Sequence, residues 1–166
     1  MPHEGEPLPP LEIPVTRTLI VSGALASRDF QDVHHDAEAA REKGSDDIFM
    51  NILTTNGLVG RYVTGWAGPH AVLRKVAIRL GVPAYPGDTL ALSGRVTAVT
   101  PPAPDAPGAG VAGAESATTR SATTRSATAE SATVEVAVRG AGRLGDHVTG
   151  TVVVTLAGTD PKGASS

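Results

Sequence analysis

Apolar side chains recur at every second position in four separate segments of this chain, and that alternation restricts the fold more than any other feature. Val76, Ile78, Leu80 and Val82 form one such set, and Leu90, Leu92, Val96 and Ala98 a second. Val134, Val136 and Val138 form a third, and Val152, Val154 and Leu156 a fourth. A period of two places every other side chain on one face of an extended strand, so each segment reads as a strand with one buried side. Turn chemistry lies between them: Pro86-Gly87-Asp88 within residues 83–89, and Leu144-Gly145-Asp146 before residues 148–156. The first of these turns predicts a hairpin joining residues 72–82 to residues 90–98. Residues 16–22, short and rich in β-branched side chains, read as a further strand that opens the fold.

One long segment follows a different period. Over residues 48–66, Ile52, Val59, Val63 and Trp66 fall on a single helical stripe, which should face the sheet. Gly57 and Gly60 weaken that helix by about 1 kcal/mol each relative to Ala, which suggests another backbone passing close by. A shorter helix over residues 37–43 has Asp36 as its cap and Gly44 as its stop. The expected architecture is α+β, a single domain of one central helix packed on a curved antiparallel sheet of about five strands.

At 166 residues the chain is one domain long. Its net charge of −3 gives no reason to expect nucleic acid or an anionic membrane as partner. There is no cysteine, so thiolate nucleophiles and Cys-ligated metals are excluded. The first 14 residues contain five prolines and no apolar run of the signal-peptide kind, and they read as a loose extended arm. A cytoplasmic, soluble protein is expected, since no segment approaches the roughly 20 apolar residues of a membrane-spanning helix. Residues 101–131 hold a Pro/Ala/Gly stretch and three Ser-Ala-Thr pentapeptides, with a fourth beginning at Ser131, and read as a disordered low-complexity insertion. Residues 158–166 read as a flexible tail.

Chemistry concentrates in Asp29-Phe-Gln-Asp-Val-His-His-Asp36. A carboxylate and an imidazole five positions apart in a polar loop, Asp29 and His34, can hold one water between them and pass protons to and from it. The competing readings are ordinary. His34, His35 and Asp36 could be taken for a metal cluster, but adjacent histidines point apart and no further ligand stands at the usual spacing, so no metal is expected. Asp32 and Asp36 suit loop stabilisation and helix capping. Arg74, Lys75 and Arg79 are candidates for binding phosphates, set against the commoner reading of solvated cations on a strand's outer face. Trp66 suits the core, and His70 and His147 carry no signal.

These segments resemble the MaoC-type enoyl-CoA hydratases of the hot-dog fold. Asp29, His34 and Asp36 match that family's Asp-x4-His-x-Asp signature, and Pro83 with Gly87-Asp-Thr-Leu90 matches a second motif downstream. The resemblance covers roughly residues 16–100 and 133–156. Within the family, Arg28 to Asp36, Asp47 to Leu53, Arg61 to Thr64, Trp66 to Pro69 and Leu144 to Thr149 are similar to the small catalytic subunits of bacterial steroid side-chain hydratases. The resemblance implies hydration of an α,β-unsaturated acyl-CoA thioester, with CoA carried by the substrate and no separate cofactor. It implies a second MaoC-like subunit and a heterotetramer as partners. It also implies that Asp29 and His34 act jointly on water, while backbone N–H groups at the start of the central helix meet the thioester oxygen. Where the family usually places His-Gly, this chain has Met50 and Asn51. A hot-dog thioesterase and a non-catalytic acyl-CoA-binding subunit are the alternatives.

Overall fold

The computed structural model describes residues 1–101 and 131–156. Among them the order is β1 (Pro7–Pro14), α1 (Arg17–Ala26), a 3-10 turn (Asp32–His34), α2 (Ala37–Glu42), α3 (Ile52–Ala67), β2 (Val72–Leu80), β3 (Thr89–Thr100), β4 (Ala132–Gly142) and β5 (Gly145–Leu156). The five strands make one antiparallel sheet in the order β1-β3-β4-β5-β2. It wraps α3, the helix that the sequence placed at the centre. Val59, Val63, Leu58 and Tyr62 pack against Leu92, Val96, Val134, Val136, Val152 and Val154 of the sheet's concave face. Burying each such apolar side chain contributes about 1.5–3 kcal/mol, so packing rather than propensity holds α3 helical despite its glycines and β-branched residues.

Four expectations need correction. The N-terminal arm is not loose: residues 7–14 are β1, paired antiparallel with β3 from Pro7↔Arg95 to Pro14↔Thr89. Prolines are tolerated there because β1 is an edge strand with one side of its backbone outside the ladder. Residues 16–22 are not a strand but the cap and first turns of α1. The Thr16 hydroxyl accepts the Leu19 N–H at 3.0 Å, and Ile20 and Ala24, four apart, are buried. The turn at Gly87 does not close a hairpin, since β2 pairs with β5 and β3 with β1 and β4.

Finally, among the described residues no backbone of another element approaches Gly57 or Gly60. A Cβ on Gly57 would meet nothing within 4 Å, and one on Gly60 only the Leu73 side chain at 3.5 Å. Backbone crowding occurs instead at Gly150 of β5, where a Cβ would lie 2.2 Å from the Ala77 carbonyl oxygen of β2. Apart from Pro101 and Ser131, the insertion at 101–131 lies outside the described residues, as does the whole tail at 158–166.

Candidate active site

Helix α1 ends by delivering Asp29. Its C-terminus closes with the Asp29 N–H on the Ala24 carbonyl at 2.9 Å and the Arg28 N–H on that of Leu25 at 3.1 Å. Arg28 takes the left-handed backbone conformation of this closure, φ 57°, a position usually given to Gly. A left-handed non-Gly residue costs about 1–2 kcal/mol. Arg28→Gly is therefore expected to raise the thermal midpoint by about 3 °C, read by calorimetry. An unchanged or lower midpoint would mean that the arginine side chain compensates for its strain.

The 3-10 turn carries His34 inward and His35 outward. His34 is buried, while the exposed His35 ring reaches the Phe30 carbonyl at 3.3 Å. His34 Nδ1 lies 2.7 Å from the Phe49 carbonyl oxygen. A carbonyl only accepts, so Nδ1 carries a proton, and in a neutral imidazole with that tautomer the lone pair is on Nε2. That nitrogen faces Asp29 Oδ2 at 3.3 Å, so the two groups expected from the sequence converge. Phe49 packs edge-on against the imidazole, with ring centroids 5.1 Å apart, and fixes its plane.

Asn51 holds the carboxylate from the other side. Its Nδ2 donates to Asp29 Oδ2 at 3.0 Å and to Ser27 Oγ at 2.9 Å, while its Oδ1 caps α3 by accepting the Thr54 N–H at 2.9 Å. The sequence marked Asn51 for its backbone, not for this side-chain role. Of the two expected backbone donors, Met50 is engaged: its N–H donates to the Ala84 carbonyl at 3.1 Å, which withdraws it from the site. The N–H groups of Asn51 and Ile52 have no partner among the described residues, as befits the start of a helix. Both residues line a cleft of about 280 Å³, as does Met50, and its other walls include Asp29, His34, Phe49, Leu80 to Pro83 and His147.

Arg74, Lys75 and Arg79 are not in that lining. They are exposed on the edge strand β2, where Arg74 donates to the Thr155 hydroxyl at 2.9 Å, as solvated cations would be. Asp36 caps α2 through the Glu38 and Ala39 N–H groups, and Asp32 pairs with Lys43 at 3.2 Å. Among the described residues, no group of three or more His, Cys, Asp and Glu side chains is placed to hold a metal ion.

His147 is the site residue that sequence reasoning missed. It is 2% exposed, with Nδ1 2.7 Å from the Val82 carbonyl oxygen and Nε2 2.8 Å from Thr55 Oγ1. Burial holds its pKa below the ordinary histidine value, against the opposing effect of the Val82 carbonyl. A base whose folded pKa is depressed binds fewer protons folded than unfolded. Stability is therefore full above the unfolded value near 6.5 and is lost as pH falls from there toward the folded value. Chemical denaturation from pH 7.5 to 5 should show this slope, and His147→Gln should flatten it. Equal slopes in the two proteins would count against it.

A helix inside a curved five-stranded sheet, with a carboxylate–imidazole pair beside the helix's open N-terminus, defines a hot-dog protein with an acid–base site. The chain belongs to the MaoC-like family: the family model for the MaoC like domain matches residues 1–103. It is 44% identical over 152 residues to the 3-oxo-4,17-pregnadiene-20-carboxyl-CoA hydratase beta subunit of Mycobacterium tuberculosis, an alignment spanning 92% of this chain and 95% of that one. It is similar to a chain in the crystal structure of the ChsH1-ChsH2 complex from the same organism, with TM-score 0.72, 43% identity and coverage of 94% and 99%. The (R)-hydratase from A. caviae involved in PHA biosynthesis shares the fold at TM-score 0.65 and 18% identity, covering 93% and 96% of the two chains.

Proposed function

We propose that this chain is the catalytic subunit of an enoyl-CoA hydratase that adds water across the trans-2 double bond of a steroid side-chain acyl-CoA. One observation carries the reading: Nε2 of His34 and the carboxylate of Asp29 face each other at 3.3 Å on the wall of the cleft. A water seated at both groups is polarised from two sides. As its oxygen bonds to C3, Nε2 takes one of its protons and charge moves through the double bond to the thioester oxygen. The N–H groups of Asn51 and Ile52 receive that charge in the favourable field of the helix N-terminus. Proton delivery to C2, with Asp29 as the shuttle, completes the net addition of one water.

The steroid class of acyl group is supported by the 44% identical relative, a 3-oxo-4,17-pregnadiene-20-carboxyl-CoA hydratase subunit. A heteromeric enzyme is supported in the same way, since that relative is a beta subunit and the similar crystal structure is of a complex. Ligand clefts usually span about 300–1,000 Å³, so the cleft of about 280 Å³ is small for a bulky thioester. Val72 and Leu73 on the edge strand β2, and Ile52 and Leu53 beside the cleft, are exposed apolar residues that a second MaoC-like subunit would cover in the proposed heterotetramer. A cytoplasmic location is part of the same proposal, and a CoA thioester substrate supports it. Among the described residues no helix is long and apolar enough to cross a membrane.

The test is to incubate the chain, alone and with a candidate larger subunit, with an enoyl-CoA. Loss of the conjugated thioester absorbance supports hydration. Release of free thiol would instead establish a thioesterase, and binding without turnover a non-catalytic subunit.

A further inference from the structure

The bulge that interrupts the β4–β5 ladder is placed where the cleft needs a tie. Gly140 pairs with Val148 and Ala141 with Asp146, so His147 has no partner across the ladder. A bulge turns a side chain off the alternating pattern, and here it buries His147 next to the already buried Val148. The backbone on both sides of that bulge grips one wall of the cleft: the Gly81 N–H donates to the His147 carbonyl at 2.9 Å and the Val82 N–H to the Asp146 carbonyl at 3.0 Å. Gly81 has no room for a side chain, since a Cβ would fall 2.2 Å from the Asp146 carbonyl oxygen.

The imidazole extends the same grip to the opposite wall. Nδ1 must donate to the Val82 carbonyl, which in the neutral ring leaves Nε2 as an acceptor, so the Thr55 hydroxyl donates to it at 2.8 Å in preference to the Asn51 carbonyl at 3.3 Å. Thr55 stands in the first turn of α3, and its own N–H donates to the Asn51 carbonyl at 3.2 Å. One rigid ring therefore spans from the 80–83 strip to the helix turn that presents the Asn51 and Ile52 N–H groups. With both nitrogens engaged, the ring has no lone pair left for substrate chemistry.

We infer that His147 is a positioning residue, fixing through Thr55 the distance between the Val82 wall and the N–H donors that receive charge on the thioester oxygen. The inference rests on the hydratase reading. Charge on that oxygen is greatest in the transition state, so loosening the donors lowers kcat more than it raises KM. His147→Asn keeps a donor for Val82 but is too short to reach Thr55, and Thr55→Val removes the hydroxyl at nearly constant volume.

In the assembled enzyme each substitution is expected to lower kcat about tenfold with KM changed less than threefold. The double variant should be no slower than the slower single one, because both cut the same link. Thr55→Ser, which retains the hydroxyl, should restore most of the rate. Wild-type kcat in a folded Thr55→Val protein would overturn the inference, as would rate losses that multiply in the double variant. A Thr55→Val protein that fails to fold while Thr55→Ser folds would also overturn it, since the link would then be structural. Absence of hydration in the wild type would instead remove the hydratase reading itself.

Discussion

Asp29→Asn is expected to lower kcat of the assembled hydratase by about 100-fold or more while leaving its melting temperature within a few degrees. The replacement is isosteric, and its carbonyl oxygen can still accept from Asn51 Nδ2, which bonds the native carboxylate at 3.0 Å. His34 Nε2 and Asn51 Nδ2 both meet the one oxygen Oδ2 of Asp29, so the same carbonyl oxygen also faces the imidazole and the amide nitrogen takes the place of Oδ1. The change therefore removes the carboxylate's charge and its capacity to carry a proton, while the contacts around it persist. His34→Ala should lose activity to a similar degree with a larger loss of stability, because it leaves the buried Phe49 carbonyl without its 2.7 Å donor. Steady-state hydration rates and thermal unfolding of both variants check this. Wild-type turnover in either folded protein would exclude the pair from catalysis.

The parts of this fold legible in the sequence are those with a clean period. β2, β3, β4 and β5 appear near their expected positions because alternate residues turn toward the core, half-buried along β2 and buried along much of the others, and α3 because Val59 and Val63 share a buried face. Failures came where local signals pointed the wrong way. Prolines at 7, 9, 10 and 14 argue against a strand, yet an edge position accepts them. Thr16, Thr18, Ile20 and Val21 favour a strand by type, yet a capped helix that buries Ile20 and Ala24 against the core prevails. Ile52 fits the helical stripe but sits half exposed at the helix start, beside the cleft.

In the site, Asp29 and His34 were visible because a short loop brings them together from nearby positions. His147 was not, because a bulge breaks the alternation that would have shown it pointing inward. Asn51 was half visible: its place at the start of α3 follows from the chain, whereas its side-chain bond to Asp29, 22 positions away, depends on how α1 and α3 pack.

That bond sets up the second large effect. Asn51→Asp should keep the helix, because Asp caps as well as Asn and its charge suits a helix N-terminus. The Thr54 N–H, 2.9 Å from Asn51 Oδ1, keeps an acceptor. What changes is the face toward Asp29, where an oxygen replaces the donor 3.0 Å from Oδ2. Two carboxylates at that distance cannot both ionise at low cost, so the pair retains a shared proton to higher pH than a single carboxylate would. If Asp29 must be ionised to hold the water against His34, the variant loses about 10- to 100-fold in kcat at neutral pH. The acid limb of its pH–rate profile moves upward, and part of the rate returns as pH is raised. Asn51→Ala, which removes donor and cap together, should lose stability by about 1 kcal/mol with no such recovery at high pH. A profile for Asn51→Asp that superimposes on the wild type at every pH would mean that Asp29 needs no orienting donor. The Asn51 side chain would then serve the helix alone.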